Sequence, residues 1–138
     1  MGIDRSTAIE DVYSSILRCL AFDTKNALEF MINNSKIKIK KIISSGGSVK
    51  NKNWMKLRAN IFNHNIYIDK NVENVSLGSA ILAGIACNIY KNEKDAFIKI
   101  KNNFEIIKKD RNKTNENYLL FNKYKSIIKK IIELNKIL

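Results

Sequence analysis

Between Ile42 and Trp54 an apolar segment runs into Ser45-Gly46-Gly47-Ser48-Val49-Lys50-Asn51, and a run with helical spacing follows at once. Two adjacent glycines at a strand-to-helix junction open backbone conformations closed to other residues and let the chain approach a ligand closely. The helix start beyond them favours phosphate and other polar acceptors. Glycine is also the commonest turn residue, so the pair by itself suits a plain turn equally. The elements on either side have to discriminate.

With 138 residues, 45% of them hydrophobic, the chain falls in the range of one domain with a core of its own. Five glycines and no proline leave few breaks and favour a helix-rich chain. No apolar run approaches the roughly 20 residues of a membrane span. Asp4, Arg5, Glu10 and Asp11 near the start are unlike the basic and apolar regions of a secretory signal, so a cytoplasmic protein without a membrane partner is expected. Cys19 and Cys87 sit in helix-like apolar patterns without CxxC or Cys/His spacing, and are expected as buried free thiols rather than a disulfide or metal site. A net charge of +12 raises nucleic acid as a partner. The lysines, however, occur with many Asn and Ile as a general compositional bias and not as one patterned stripe, which predicts a solvated basic surface and no specific nucleic-acid site.

Asp4 to Ile32 reads as one long helix or two abutting ones, with Ile9, Val12, Tyr13, Ile16, Leu17, Leu20, Ala21, Leu28 and Met31 three and four apart. Ser6 or Asp4 is the expected cap, and Asn33-Asn34-Ser35 the stop. Lys36 to Ser45 alternates and then presents Ile42-Ile43, the pattern of a strand entering a buried sheet. Trp54, Leu57, Ile61 and Phe62 share a helical face after the glycines, Asn63-His64-Asn65 closes that helix, and Ile66-Tyr67-Ile68 is a second strand. Val75 to Tyr90 predicts a buried helix, because Gly78, Ser79, Ala80, Ala83, Gly84 and Ala86 allow close packing in spite of the roughly 1 kcal/mol each interior glycine costs. Asn92-Glu93-Lys94-Asp95 starts a short helix. Lys108 to Asn117 reads as a polar loop, and Tyr118 to Leu138 as an amphipathic helix with Phe121, Tyr124, Ile127, Ile128, Ile131 and Leu134 on one stripe. His64 has no carboxylate or nucleophile partner in view and is read as a turn residue.

This order of elements carries a resemblance. From Gly2 to about Phe97, and loosely to Tyr124, the chain resembles the last part of the C-terminal domain of FGGY-family carbohydrate kinases. Three segments are similar: Gly2-Ile3 with Asp11-Val12-Tyr13 and Leu20-Ala21-Phe22; Ile43-Ser44-Ser45-Gly46-Gly47-Ser48-Val49-Lys50-Asn51 leading to Trp54; and Glu73 followed by Ser76-Leu77-Gly78-Ser79-Ala80-Ile81-Leu82-Ala83-Gly84. The chain departs from the family at Arg18-Cys19, where Glu-Gly is usual.

The resemblance implies an α/β fold, a partial actin-like ATPase (ribonuclease H-like) domain, helix-rich with a small sheet. It spans residues 1–138 as one partial domain, kinase-like over about 2–100 and closed by the helix at about 118–138. It also implies ATP as the cofactor, with adenine nucleotide bound by Gly46, Gly47, Asn51 and Ser48. Ser45 is a weaker candidate, Lys50 is read as solvated, and Glu73, Gly78 and Ala80 are read as packing and helix-start residues. Phosphoryl transfer to a sugar or polyol hydroxyl needs Mg2+ and a positioning carboxylate. In the family these come from parts upstream of Gly2, so no catalytic or metal-ligating residue is expected in this chain. With only two convincing strands, an apolar face is expected to seek a partner, either a separately encoded N-terminal kinase part or a second copy. The competing expectations are an inactive truncated remnant, and a basic helical module binding polyanions or a protein. The latter would require Lys123, Lys129, Lys130 and Lys136 to join Lys36, Lys38, Lys40 and Lys41 on one face.

Overall fold

The computed structural model describes residues 3–35, 38–70, 74–100 and 103–135. Five helices and three strands follow in the order α1 (Ile9–Ser35), β1 (Ile42–Ser44), a 3-10 turn (Gly47–Lys50), α2 (Lys52–Phe62), β2 (Ile66–Asp69), α3 (Asn74–Ala86), α4 (Glu93–Lys99), β3 (Phe104–Ile107) and α5 (Arg111–Asn135). The sheet order is β1-β2-β3. β1 and β2 are parallel with Ile42 opposite Ile66, and β2 and β3 are antiparallel with Ile66 opposite Ile107.

The β1-α2-β2 unit is built by local chemistry. The Asn51 carboxamide oxygen accepts the Trp54 N–H at 3.0 Å and so caps the start of α2. At the other end Asn63 takes a left-handed conformation, φ 58°, which stops the helix and turns the chain into β2. Because parallel strands need a crossover, α2 is carried back over the sheet. There Met55, Ala59, Ile61 and Phe62 join Ile66, Ile68 and Ile107 in one core, closed by Ala21 and Phe22 of α1 and Phe121 of α5. The Phe22 ring lies 5.5 Å from Phe121 and 5.4 Å from Tyr124, whose hydroxyl donates to Asp23. On the opposite sheet face, register aligns Ile43, Tyr67 and Ile106. Among the described residues no helix covers Ile43 and Ile106, 53% and 48% exposed.

Several expectations are corrected. The Asp4 carboxylate is taken by Ser6, from both its N–H and its hydroxyl, so α1 starts at Ile9 and its capping group is Asp11, which accepts the Ala8 N–H at 3.2 Å. The first strand is confined to three residues, Lys38 to Lys40 being irregular and Lys36 and Ile37 lying outside the described residues. α3 stops at Ala86 instead of Tyr90. Asn88 there has φ 59°, its N–H reaches the Ile85 carbonyl, and the Ile89 N–H reaches that of Gly84, the pairing of a Schellman stop. A Cβ at Gly84 would stand 2.7 Å from the Tyr90 ring that folds back over it. Nor is α3 buried: Ile81 is 5% exposed but Val75 and Leu82 are 86% and 64% exposed, since its main neighbour is the short α4. Both thiols are free but exposed, Cys19 facing a cleft beside Asp4 to Thr7 and Cys87 just beyond α3.

The polar segment from Lys108 is where sequence and structure differ most. Phe104–Ile107 is a third strand, and the helix after it begins at Arg111, not Tyr118. The Asp110 carboxylate caps α5 by accepting the Asn112 and Lys113 N–H groups. Asp110 is itself held by Asn60 of α2, a residue 6% exposed, whose amide oxygen accepts the Asp110 N–H at 2.7 Å. Asn60→Ala is therefore expected to lower stability by about 0.5–1.5 kcal/mol, the net value of one intramolecular hydrogen bond whose donor residue, Asp110, is exposed. Urea unfolding followed by circular dichroism measures it, and an unchanged midpoint would remove Asn60 as the link between α2 and α5.

Candidate functional site

β1 ends in Ser44, 6% exposed, at the carboxyl end of the parallel strand pair, which is where open α/β sheets place ligands. From there the chain turns outward. Gly46 has φ 84° and ψ −173°, a region populated almost only by glycine. The turn is tied by the Val49 N–H to the Gly46 carbonyl (3.3 Å) and the Asn51 N–H to the Ser48 carbonyl (3.2 Å). Val49 packs against the core from the inner side, whereas Gly46, Gly47, Ser48 and Asn51 are exposed. A Cβ placed on Gly46 or Gly47 would meet no atom within 4 Å. The diglycine corner is thus an open ledge at the end of a strand, unobstructed by the protein's own side chains.

All four expected nucleotide residues, Gly46, Gly47, Ser48 and Asn51, come together on this ledge, as sequence proximity requires. One refinement concerns Asn51. Its oxygen is committed to the cap of α2, so of the two functions an amide offers a purine, donor and acceptor, the NH2 donor is the one left to a ligand. Lys52 ends in an ion pair with Glu105 at 2.6 Å, and its hydrogen bond holds the Glu105 carboxyl below the usual carboxylate range. Lys50 is exposed. Nearly two turns into α2, the Arg58 guanidinium lies over Trp54 (5.6 Å) and Phe62 (5.2 Å).

Glu73 lies outside the described residues. Gly78 and Ala80 sit on α3, Ala80 exposed and Gly78 with open space around it. His64 is at the far end of α2, its Nδ1 2.8 Å from the Phe62 carbonyl, which bears out the reading as a turn residue. A continuous basic face gains no support: Lys41 lies 3.6 Å over the Phe104 ring and Lys125 pairs with Glu29 at 3.3 Å, while Lys36 and Lys136 lie outside the described residues.

The sequence profile of the "FGGY family of carbohydrate kinases, C-terminal domain" matches residues 1–87, a span that contains the ledge and α3. The chain belongs to the FGGY carbohydrate kinases. This FGGY chain is 34% identical over 93 residues to a glycerol kinase of Mycoplasma pneumoniae, an alignment covering 67% of the chain and 18% of that kinase. Among solved structures it is similar to a ligand-bound xylulose kinase from Lactobacillus acidophilus, with a TM-score of 0.82 and 20% identity over 96% of the chain and 26% of that kinase. It is also similar to a Plasmodium falciparum glycerol kinase solved with ADP, with a TM-score of 0.70 and 23% identity over 91% of the chain and 26% of that kinase. The structural likeness extends to α4, β3 and α5, beyond the profile match, and establishes the FGGY fold, a partial actin-like ATPase architecture of the ribonuclease H type. The FGGY chain spans only about a fifth of the M. pneumoniae kinase and a quarter of these two solved kinases.

Proposed function

We propose that this chain forms the nucleotide side of an ATP-dependent carbohydrate kinase, with the Gly46-Gly47 ledge lying against the nucleotide and the Asn51 NH2 reaching the purine edge. The observation that carries the reading is the open ledge at the carboxyl end of β1, within the region matched to the kinase family. Glycine backbone there lets N–H groups and flat peptide planes meet a ligand without a side chain in the way, and the Ser48 hydroxyl is a further donor.

Phosphoryl transfer itself needs a positioning carboxylate and a metal in register with the acceptor hydroxyl. Among the described residues no three His, Cys, Asp or Glu side chains cluster, so these residues offer no ready-made cage for Mg2+, and both the metal ligands and the sugar or polyol site are assigned to the remaining three quarters of the kinase fold. That remainder also accounts for the uncovered faces, Ile43 and Ile106 on the sheet and Val75 and Leu82 on α3. The chain taken alone is accordingly expected to bind adenine nucleotide weakly and to transfer no phosphate. The described residues form no helix long and apolar enough to cross a membrane, and ATP use with two free thiols fits a cytoplasmic setting.

Titration of ATP and ADP into the wild type, Asn51→Ala and Asn51→Ser separates binding from folding. Serine keeps an oxygen for the Trp54 N–H, whereas alanine also removes the cap, at about 1 kcal/mol. Both variants are expected to bind about tenfold more weakly, the value of one well-placed hydrogen bond, with Asn51→Ser retaining wild-type stability. Wild-type affinity in Asn51→Ser, or no nucleotide binding by the wild type, would remove the assignment.

A further inference from the structure

α1, the end of α2 and the first turns of α5 enclose a cavity of about 370 Å3. It lies at the opposite end of α2 from the glycine ledge, and the 11 residues of that helix separate the two by about 16 Å at 1.5 Å per residue. Its walls carry Lys25 and Glu29 from α1, Phe62 and His64 from the end of α2, and Asn115 and Tyr118 from α5. No role in the proposed kinase reading falls on any of them.

Lys25 is the unusual member. The residue is only 9% exposed and lines the cavity, and none of the ion pairs found among the described residues includes it. It has two ring faces instead, Phe121 at 4.5 Å and Tyr118 at 5.9 Å. Glu29, one turn further along α1, is turned to Lys125. Burial pushes the Lys25 ammonium below the ordinary lysine range, Glu29 opposes that shift, and the Lys125 charge adds to it. An ammonium has three donors and a large desolvation penalty, and ring faces meet only part of that demand. The one carboxylate in the wall, Glu29, is paired with Lys125, so Lys25 is left to be met by an acceptor from outside the protein.

We propose that this cavity binds a small organic oxyanion, a phosphate or carboxylate on a compact apolar or aromatic body, with Lys25 as the cation that receives it. The volume is at the small end of ligand pockets and gives room for about ten non-hydrogen atoms at roughly 30 Å3 each. Phe62 and Tyr118 offer flat apolar contact to the body of the ligand, with Leu28 and Ile32 beside them. Asn115 supplies an amide for the oxyanion, and His64 is held in place by its bond to the Phe62 carbonyl. The inference stands apart from the nucleotide assignment, since it uses none of the ledge residues.

The test is a titration of phenyl phosphate and of benzoate into the 138-residue chain at constant ionic strength, followed by NMR, with benzyl alcohol as the uncharged analogue. Either anion, or both, is expected to produce saturable shifts confined to His64, Asn115, Tyr118 and their neighbours. Lys25→Met, which keeps the side-chain length and leaves an apolar group among apolar ones, is expected to weaken that binding about tenfold, as for the loss of a charge-assisted hydrogen bond. Lys25→Arg is expected to preserve it. Shifts spread without saturation over surface lysines, binding of benzyl alcohol as tight as that of the anions, or an unaltered Lys25→Met would each overturn the proposal. ADP titrated separately is expected to move Gly46 and Gly47 and to leave the cavity resonances in place, so failure of one assignment is distinguishable from failure of the other.

Discussion

Phe121→Ala is expected to destabilise the protein by about 3–5 kcal/mol, the usual range for removing a fully buried phenyl ring. Phe121 is 0% exposed. Its ring packs against Phe22 of α1 and stacks near Tyr124 at 6.3 Å, and the Lys25 and Lys125 ammonium groups lie 4.5 and 4.6 Å over it. Alanine would leave a void between α1 and α5, would strip Lys125 of its ring contact and would leave Lys25 with Tyr118 alone. Set against the 5–15 kcal/mol typical of a whole domain, a loss of this size brings the chain near its unfolding threshold. Urea denaturation followed by Trp54 fluorescence reports it. A midpoint within experimental scatter of the wild type would mean that α5 is an appendage and not part of the core.

The second large effect is expected at the ledge, where two neighbouring glycines behave differently. Gly46→Ala is expected to cost about 1–3 kcal/mol, because its φ of 84° with ψ −173° lies in a region reserved for glycine, so the loss is backbone strain and not a clash. Gly47 has no positive φ and open space around its Cα, so Gly47→Ala is expected to stay within about 0.5 kcal/mol of the wild type, as surface substitutions usually do. Both are expected to weaken ADP binding about tenfold or more, each setting a methyl group where the nucleotide approaches, at roughly the 1.4 kcal/mol of one decade in affinity. Thermal unfolding and nucleotide titration on the same two variants separate these contributions. The assignment fails if Gly47→Ala binds ADP as the wild type does, for then the ledge is only a turn.

Much of this site was legible in the residues because its geometry is local. A left-handed stop such as Asn63 acts on its own helix and follows from short-range pattern; the cap by Asn51 is equally local, acting three residues ahead on Trp54, but was read only as a ligand contact. The strand before the glycines and the strand after the helix were legible for the same reason, and so was Asn92 as the start of α4, where its oxygen accepts the Asp95 N–H. What short-range pattern missed at Asn51 was the division of its two polar atoms between cap and ligand.

Other features rest on partners far along the chain. Phe104–Ile107 is a strand because Ile107 finds Ile66 and Glu105 finds Ile68, pairings some 40 residues apart that a short stretch among Lys and Asn does not announce. Arg111 to Asn117 is helical and not a loop because Asp110 is fixed from α2 by Asn60, 50 residues earlier. The small-residue pattern of α3 correctly marks a helix suited to close packing, yet periodicity does not say against what, and most of that surface is exposed. Cys19 and Cys87 were misread likewise: an apolar pattern gives a helix its face, but only the neighbouring elements decide whether the face is covered.

The amino-acid sequence by itself therefore determined the strand-glycine-helix-strand unit and its stop at Asn63, which depend on residues within a few positions of one another, and the kinase family, which rests on three such local segments in the right order. The tertiary structure alone decided the third strand, the early start of α5, the open side of the glycine ledge and the enclosure of Lys25. These depend on which surfaces meet across 40 to 100 residues of chain, where burial and pairing outweigh local preference.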